Sequence, residues 1–207
     1  MKRVTHSAAR SVLLVAGMLV AAIGSTDELE AIIDSCNDCH GDNGVSQWSD
    51  MPTLAGLPEY VHADALYFYR DNERPCSESE YQQGDTGRPA TTMCAVAGDL
   101  SDDMIDEIAA YYFGLPFVAA KQDFDPGLAA TGKSVHDAQC DKCHSDGGSN
   151  PDDEAGILAG QWMGYLEASF AQYASGDREQ PKNMREKMNA LSADDTKALL
   201  HYYASQQ

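Results

Sequence analysis

Apolar residues recur at helical spacing in several separate stretches of the chain. The apolar residues of 29–36 share one helical face, and similar stripes run through about residues 59–70 and 161–175. Ser101 and Ser192, each followed by acidic residues, occupy N-cap positions of two further helices. The pattern therefore predicts an all-α protein in which short helices are joined by long loops.

The N-terminal residues have the organisation of an export signal. Basic residues precede an apolar run of 12 residues, 12–23, and small residues follow it. As a helix this run would cover about 18 Å of a hydrocarbon core that is about 30 Å thick, so an uncleaved anchor is the weaker alternative. We expect a signal peptide over residues 1–24, cleaved between Ala22 and Ser25. The protein is then predicted to lie in the periplasm with no remaining membrane span.

The composition is strongly acidic. The chain has 14 Lys and Arg against 33 Asp and Glu, which gives a formal net charge of −19. Such a charge disfavours binding to nucleic acid or to an anionic membrane surface. It favours a basic partner, although an acidic face that merely interacts with solvent explains it equally well. No nucleic acid is therefore expected among the partners.

The chain contains an internal duplication. Cys36 to His40 recurs as Cys140 to His144, and this offset of 104 residues also relates Tyr69 to Tyr173. Later landmarks repeat at an offset of 91 residues, namely Met93 with Met184, Leu100-Ser101 with Leu191-Ser192, and Tyr111-Tyr112 with Tyr202-Tyr203. Two similar units of the same fold are therefore predicted.

The change of offset places an insertion of 13 residues in the first unit, between Tyr69 and Met93. The stretch 71–88 is rich in Gly, Pro, Ser, Glu and Asp, which is typical of a surface loop. We expect one domain over residues 25–114, a linker over 115–125 and a second domain over 126–207.

The repeated motif has two cysteines at positions i and i+3 and a histidine at i+4. Two thiols at this spacing can bond covalently to the vinyl groups of a haem, while the following imidazole binds the iron. A thioredoxin-like redox pair would need a βαβ context, and a zinc site would need the two motifs to meet. Covalent haem c is therefore the preferred interpretation, with thioether cysteines Cys36, Cys39, Cys140 and Cys143 and axial ligands His40 and His144.

Each iron then needs a sixth ligand. A thioether suits an electron carrier because it raises the potential and leaves no position open for a substrate. Met93 and Met184 are in register, and Met188 is an alternative one turn after Met184. His136 and His201 could also ligate, but neither has a histidine counterpart in the other unit.

These motifs resemble a known family. Two CxxCH units, each followed by Leu-Ala-Gly and by a Met seven residues before Leu-Ser, resemble the dihaem cytochrome c4 carriers. The second half resembles more closely the dihaem subunit of flavocytochrome c sulfide dehydrogenase, through residues 140–144, 157–162 and 203–207.

The resemblance implies two tandem class I cytochrome c domains related by pseudo-twofold symmetry. They would form a heterodimer with a flavoprotein subunit that oxidises sulfide on FAD. The chain would pass electrons to an external cytochrome, another soluble redox protein or an oxidase, and FAD is expected only on the partner. It would need no catalytic residue of its own.

Two other functions remain open. The first is a free-standing dihaem carrier that supplies a terminal oxidase. The second is a haem enzyme with an open iron position, which the two methionines in register disfavour.

Cys76 and Cys94 depart from the family pattern. In an oxidising compartment they are expected to form a disulfide. The alternative is a copper site in which both act as thiolates, with His62 as a third ligand.

Overall fold

The computed structural model describes residues 25–207, so the predicted export signal lies outside the described part of the chain. The regular secondary structure of this part is almost entirely helical, with long loops between the helices, which agrees with the predicted class. Its elements are α1 Ser25–His40, a 3-10 turn Asp42–Gly44, α2 Glu59–Arg70, β1 Glu78–Ser79, β2 Thr91–Thr92, α3 Met93–Ala97, α4 Asp102–Phe113, α5 Pro126–Gln139, α6 Ser145–Gly148, α7 Met163–Ser175, α8 Lys182–Met188 and α9 Ala193–Ala204.

The predicted helix starts are confirmed by their caps. The Ser101 hydroxyl accepts a hydrogen bond from the Met104 amide at 3.3 Å at the start of α4. Ser192 forms a capping box with Asp195 at the start of α9. Because each side chain satisfies a backbone amide that lacks a partner within its helix, it fixes where that helix begins.

The loop after each CxxCH motif folds identically in the two halves. The Leu54 amide donates to the Gly44 carbonyl at 2.7 Å, and the Leu158 amide donates to the Gly148 carbonyl at 2.9 Å. Gly44 has φ +70°, and a Cβ there would lie 2.5 Å from the Tyr112 ring, so only glycine fits. The duplication seen in the sequence is therefore a duplication of structure.

Each half has its own apolar core. Tyr112 of α4 and Tyr203 of α9, which share a register, are both 0% exposed at the centres of these cores. The first core is formed by Ile33, Leu54, Leu66, Ile105, Ile108 and Tyr112. The second is formed by Leu166, Leu199, Leu200, Tyr202 and Tyr203. Among the helices of residues 25–207, none has the length and apolar character needed to cross a bilayer.

The two halves are joined by buried hydrogen bonds. Gln161 is 1% exposed and accepts from the Thr53 amide at 3.0 Å. It also donates to the Thr53 carbonyl at 2.8 Å. Nearby, the Trp162 indole donates to the Ser46 carbonyl at 2.9 Å, and the Tyr165 amide donates to Ser49 at 2.8 Å. These bonds bring the start of α7 against the loop that follows the first motif.

The chain between the halves follows this interface closely. The Ala120 amide donates to the Gly160 carbonyl at 2.8 Å. The Gln122 side chain donates to Gln161 and accepts from the Met163 amide, both at 2.8 Å. The connection is therefore hydrogen-bonded to the second half at Ala120 and at Gln122.

Candidate functional site

The first CxxCH motif lies at the C-terminal end of α1. His40 is 7% exposed, and its Nδ1 donates to the Pro52 carbonyl at 3.0 Å. Burial lowers the pKa of His40, although the Pro52 carbonyl acts in the opposite direction. The imidazole is thus held neutral with Nε2 available, which is the form that binds a metal.

The second motif follows α5, and its histidine is half-buried. His144 has a buried Nδ1 without a hydrogen-bond partner among the described residues. Burial lowers its pKa, and the Gly156 carbonyl opposes the shift. Gly156 is the register equivalent of Pro52. The local fold therefore presents a neutral imidazole in both halves.

A buried tyrosine contacts each motif, and sequence reasoning did not assign these residues a role there. The Tyr112 hydroxyl donates to the Asn37 side chain at 2.9 Å, directly after Cys36. Burial raises the pKa of Cys36 to about 11, although the Tyr112 hydroxyl acts in the opposite direction. Tyr203 has the equivalent relation to Cys140. The sequence pattern that could have indicated this contact is the Tyr-Tyr pair that repeats at an offset of 91 residues.

The structure places the first methionine candidate on the same core as the first motif. Met93 begins α3, and both it and Cys36 pack against the first core. Thr92 caps this short helix by accepting from the Ala95 amide at 3.1 Å. In the second half, Met184 and Met188 lie one turn apart on α8, and both are half-buried. Both therefore stay candidates for the second site.

The other histidines already have defined surroundings. His136 is 0% exposed, and its Nδ1 lies 3.0 Å from the Tyr203 hydroxyl. His201 accepts a hydrogen bond at Nδ1 from the Asp125 amide at 3.0 Å. His62 is 5% exposed, and burial lowers its pKa to about 4, with His40 adding to the shift. All three thus occupy structural positions in the packed helices.

Two arginines lie between the halves at positions related by the 104-residue offset. Arg74 is 7% exposed, and its guanidinium lies 4.5 Å from the Tyr69 ring centroid. Arg178 lies 4.4 Å from the Tyr173 ring. Burial alone would raise the pKa of Tyr165, but Arg74 and Arg178 lower it to about 8.

These guanidinium groups have no carboxylate partner in the described part of the chain. Within residues 25–207, no ion pair involves Arg74 or Arg178. The Arg74 Nε is buried there without a hydrogen-bond acceptor. A buried cation is costly unless it is paired, so this interface favours an anionic group beside Arg74.

Cys76 and Cys94 form a disulfide, with their Cα atoms 5.8 Å apart. A disulfide has no thiolate to offer a metal. No group of three His, Cys, Asp or Glu side chains that could hold a metal ion occurs within residues 25–207. The structure thus gives no support to the copper alternative with His62.

Removing this disulfide should destabilise the protein measurably. With Cys76→Ser and Cys94→Ser together, the loop of 18 residues gains freedom in the unfolded chain, and we expect a loss of about 3 kcal/mol. Urea unfolding of the oxidised parent and of the double variant measures the difference. If the double variant unfolds at the same urea midpoint as the parent, the disulfide does not stabilise the folded protein.

Comparisons with known proteins agree with this architecture. The chain is 27% identical over 207 residues to cytochrome c4 of Stutzerimonas stutzeri, across 93% of this chain and 95% of that protein. The crystal structure of reduced recombinant cytochrome c4 from Pseudomonas stutzeri matches with a TM-score of 0.70 at 23% identity, over 89% of this chain and 100% of that one. The chain is similar to cytochrome c4 over nearly its whole length. The predicted fold of two tandem cytochrome c domains is thereby confirmed.

A second relative is named as the electron acceptor of a particular dehydrogenase. The chain is 26% identical over 159 residues to the thiosulfate dehydrogenase electron acceptor of Thiomonas intermedia (strain K12). That match covers 70% of this chain and 64% of the acceptor, so the chain spans less than two thirds of the acceptor's length. No protein-family model matches the chain. Likeness to cytochrome c4 thus extends over the whole described fold, whereas likeness to the acceptor is partial.

Proposed function

We propose that this chain is an exported, periplasmic electron carrier with one covalent haem c in each half. The observation that carries the proposal is the repeated CxxCH turn, in which His40 is buried, His144 is half-buried and burial lowers the pKa of both imidazoles, so that both are neutral. Cys36 and Cys39 would hold the first haem and Cys140 and Cys143 the second. His40 and Met93 would bind the first iron, and His144 with Met184 or Met188 would bind the second.

The residues present fit such groups. None of the four motif cysteines forms a disulfide within residues 25–207, so the thiols are available for thioether bonds. Arg74 is buried and Arg178 is half-buried, and neither pairs with a carboxylate within residues 25–207, which suits the propionates of a haem. The apolar cores beside each motif would exclude water from a bound macrocycle.

A bound haem supplies a one-electron iron couple. The protein's part is to hold each imidazole in one orientation, which the Pro52 carbonyl does for His40. Thioether ligation raises the potential, and the packed helices keep other ligands from the iron. No acid, base or nucleophile of this chain is required for electron transfer. The rigid contact between Gln161 and Thr53 would hold the two centres at a fixed separation.

The arginines provide a prediction for the haem-loaded protein. Arg74→Gln should lower the midpoint potential of the nearer haem by on the order of 50 mV, because loss of a nearby positive charge favours the oxidised iron. Arg178→Gln should act similarly. Spectroelectrochemical titration measures both. Arg70→Gln is the control, since Arg70 pairs with exposed Asp102, and an equal effect there would contradict the special role of the interface arginines.

The proposed function is tested on the exported protein purified from its native source. Mass measurement should show two added haems, and the reduced spectrum should have haem c bands. The haems should accept electrons from a dehydrogenase of the same source. A polypeptide with no added haem, or with one, would overturn the proposal.

A second candidate is the haem subunit of a flavocytochrome c sulfide dehydrogenase, with FAD on its partner subunit. The residues of 157–162 and 203–207 support it by resemblance. However, Gln161 and Trp162 of that set form hydrogen bonds between the two halves. Their presence is therefore accounted for by domain packing and does not require a partner chain.

Stopped-flow reduction separates the two functions. Sulfide together with a co-purified FAD protein should reduce the haems if this chain is that subunit. A free carrier would purify without a flavoprotein and would accept electrons from other dehydrogenases, such as one that oxidises thiosulfate.

A further inference from the structure

The insertion in the first half closes over the first CxxCH turn. The amides of Gln82 and Gln83 both donate to the carbonyl of Asp38, at 2.9 Å and 3.0 Å. Asp38 lies between the two cysteines of the motif. The sulfur of Cys39 is 4.0 Å from the carbonyl oxygen of Glu80. We call residues 80–90 the cover.

Side chains fix the cover in place. Arg88 forms an ion pair with Asp38 and stacks on the Tyr81 ring, with its guanidinium carbon 3.5 Å from the ring centroid. Gln83 donates to the Asp42 carboxylate at 2.8 Å. At its base, the cover is closed by the antiparallel pair β1–β2 and by the disulfide of the neighbouring residues. It is therefore an ordered piece of the surface.

The second half supplies an internal comparison, because it lacks the insertion of 13 residues to which the cover belongs. Lys142 and Cys143 are exposed, whereas their register equivalents Asp38 and Cys39 are half-buried. The two motifs are otherwise built alike. The cover accounts for this asymmetry, since its backbone and side chains contact Asp38 and Cys39 directly.

We infer that external redox proteins exchange electrons with this molecule at the second motif, because the cover shields the first. The inference rests on the proposed function, since a haem bonded to Cys39 or Cys143 has a vinyl edge at that sulfur. Transfer between proteins depends on a short path from such an edge to the surface. The first centre would then exchange electrons mainly through the second.

The surface around the second motif fits a basic partner. Residues 133–154 contain six acidic residues and two lysines. Asp141 and Asp152 are both exposed beside the motif. A positive face on the partner would be attracted to this surface, and salt would weaken the attraction.

The test compares the dihaem protein with a variant that lacks the cover. Residues 80–90 are replaced by Asn-Gly, which joins Ser79 to Thr91 as a two-residue hairpin and keeps β1, β2 and the disulfide. The probe is a basic monohaem cytochrome c at low ionic strength, and the readout is amide hydrogen exchange of the complex. In the unmodified protein, binding of the cytochrome should slow amide exchange over residues 140–154 and leave it unchanged over 36–42. The shortened variant should be protected over both.

Charge variants provide a second measurement. Asp141→Asn with Asp152→Asn should weaken binding of the basic cytochrome by roughly threefold to tenfold. The control, Glu30→Gln with Glu107→Gln, makes the same change in net charge on α1 and α4 and should have a smaller effect. Equal weakening by both pairs would contradict a docking surface at the second motif.

The outcomes separate this inference from the proposed function. Mass measurement is made first, and a chain without two haems contradicts the proposed function itself. A chain with two haems whose unmodified form is protected over residues 36–42, or equally over both motifs, contradicts only the inference.

Discussion

Replacing Met93 with Ala should open the first iron to external ligands and lower its midpoint potential by roughly 100 mV or more, because a thioether ligand raises the potential. Met93 begins α3 and packs against the same core as Cys36, so its removal also leaves space beside the motif. Spectroelectrochemical titration measures the potential. Carbon monoxide binding to the reduced protein reports the open position, and only one of the two haems should respond.

Met104→Ala is the matched control. Met104 lies on α4, is half-buried and has no methionine in register in the second half. Its loss should leave both potentials and both coordination states unchanged. A Met93→Ala protein that keeps its native potential and binds no carbon monoxide would refute the assignment. The same measurements on Met184→Ala and Met188→Ala identify the second ligand.

Gln161→Leu should destabilise the protein by about 2–4 kcal/mol, because it leaves a buried backbone amide and carbonyl of Thr53 without partners. The two bonds join residues 108 positions apart in the chain. Their loss should also weaken the contact between the halves. Urea unfolding should therefore show a lower midpoint and a transition that separates into two steps.

A second glutamine provides the control for this substitution. Gln172 of α7 has a buried side-chain oxygen without a hydrogen-bond partner among the described residues. Gln172→Leu removes no such bond and should change the stability by less than about 1 kcal/mol. If both leucine variants unfold alike, the bonds between Gln161 and Thr53 do not hold the halves together.

Much of the fold was predictable because it depends on local patterns. The helix Glu59–Arg70 was predicted with its observed bounds from apolar periodicity, and the capping serines marked two helix starts. The CxxCH spacing is visible in sequence because both thiols must reach one macrocycle from a single turn. Covalent chemistry of this kind requires neighbouring residues, and neighbours can be found without a structure.

Contacts between distant residues could not be predicted in the same way. The pairing of Arg74 with Tyr165 and of Gln161 with Thr53 depends on how the halves pack, which no local pattern records. The pair β1–β2 was missed because strands of two residues have no periodicity. The change of offset between the repeats located the insertion in the sequence. It did not indicate that the insertion lies over Cys39.

The hydrogen bonds that fix Ala120 and Gln122 to the second half have a kinetic consequence. Because Gln161, to which Gln122 is bonded, also joins Thr53 of the first half, the halves are already in contact, and electron transfer between the proposed haems would need no pivoting of one half toward the other. When one haem is reduced and the other is oxidised, electron transfer between them should therefore have the same rate in water and in a viscous glycerol solution.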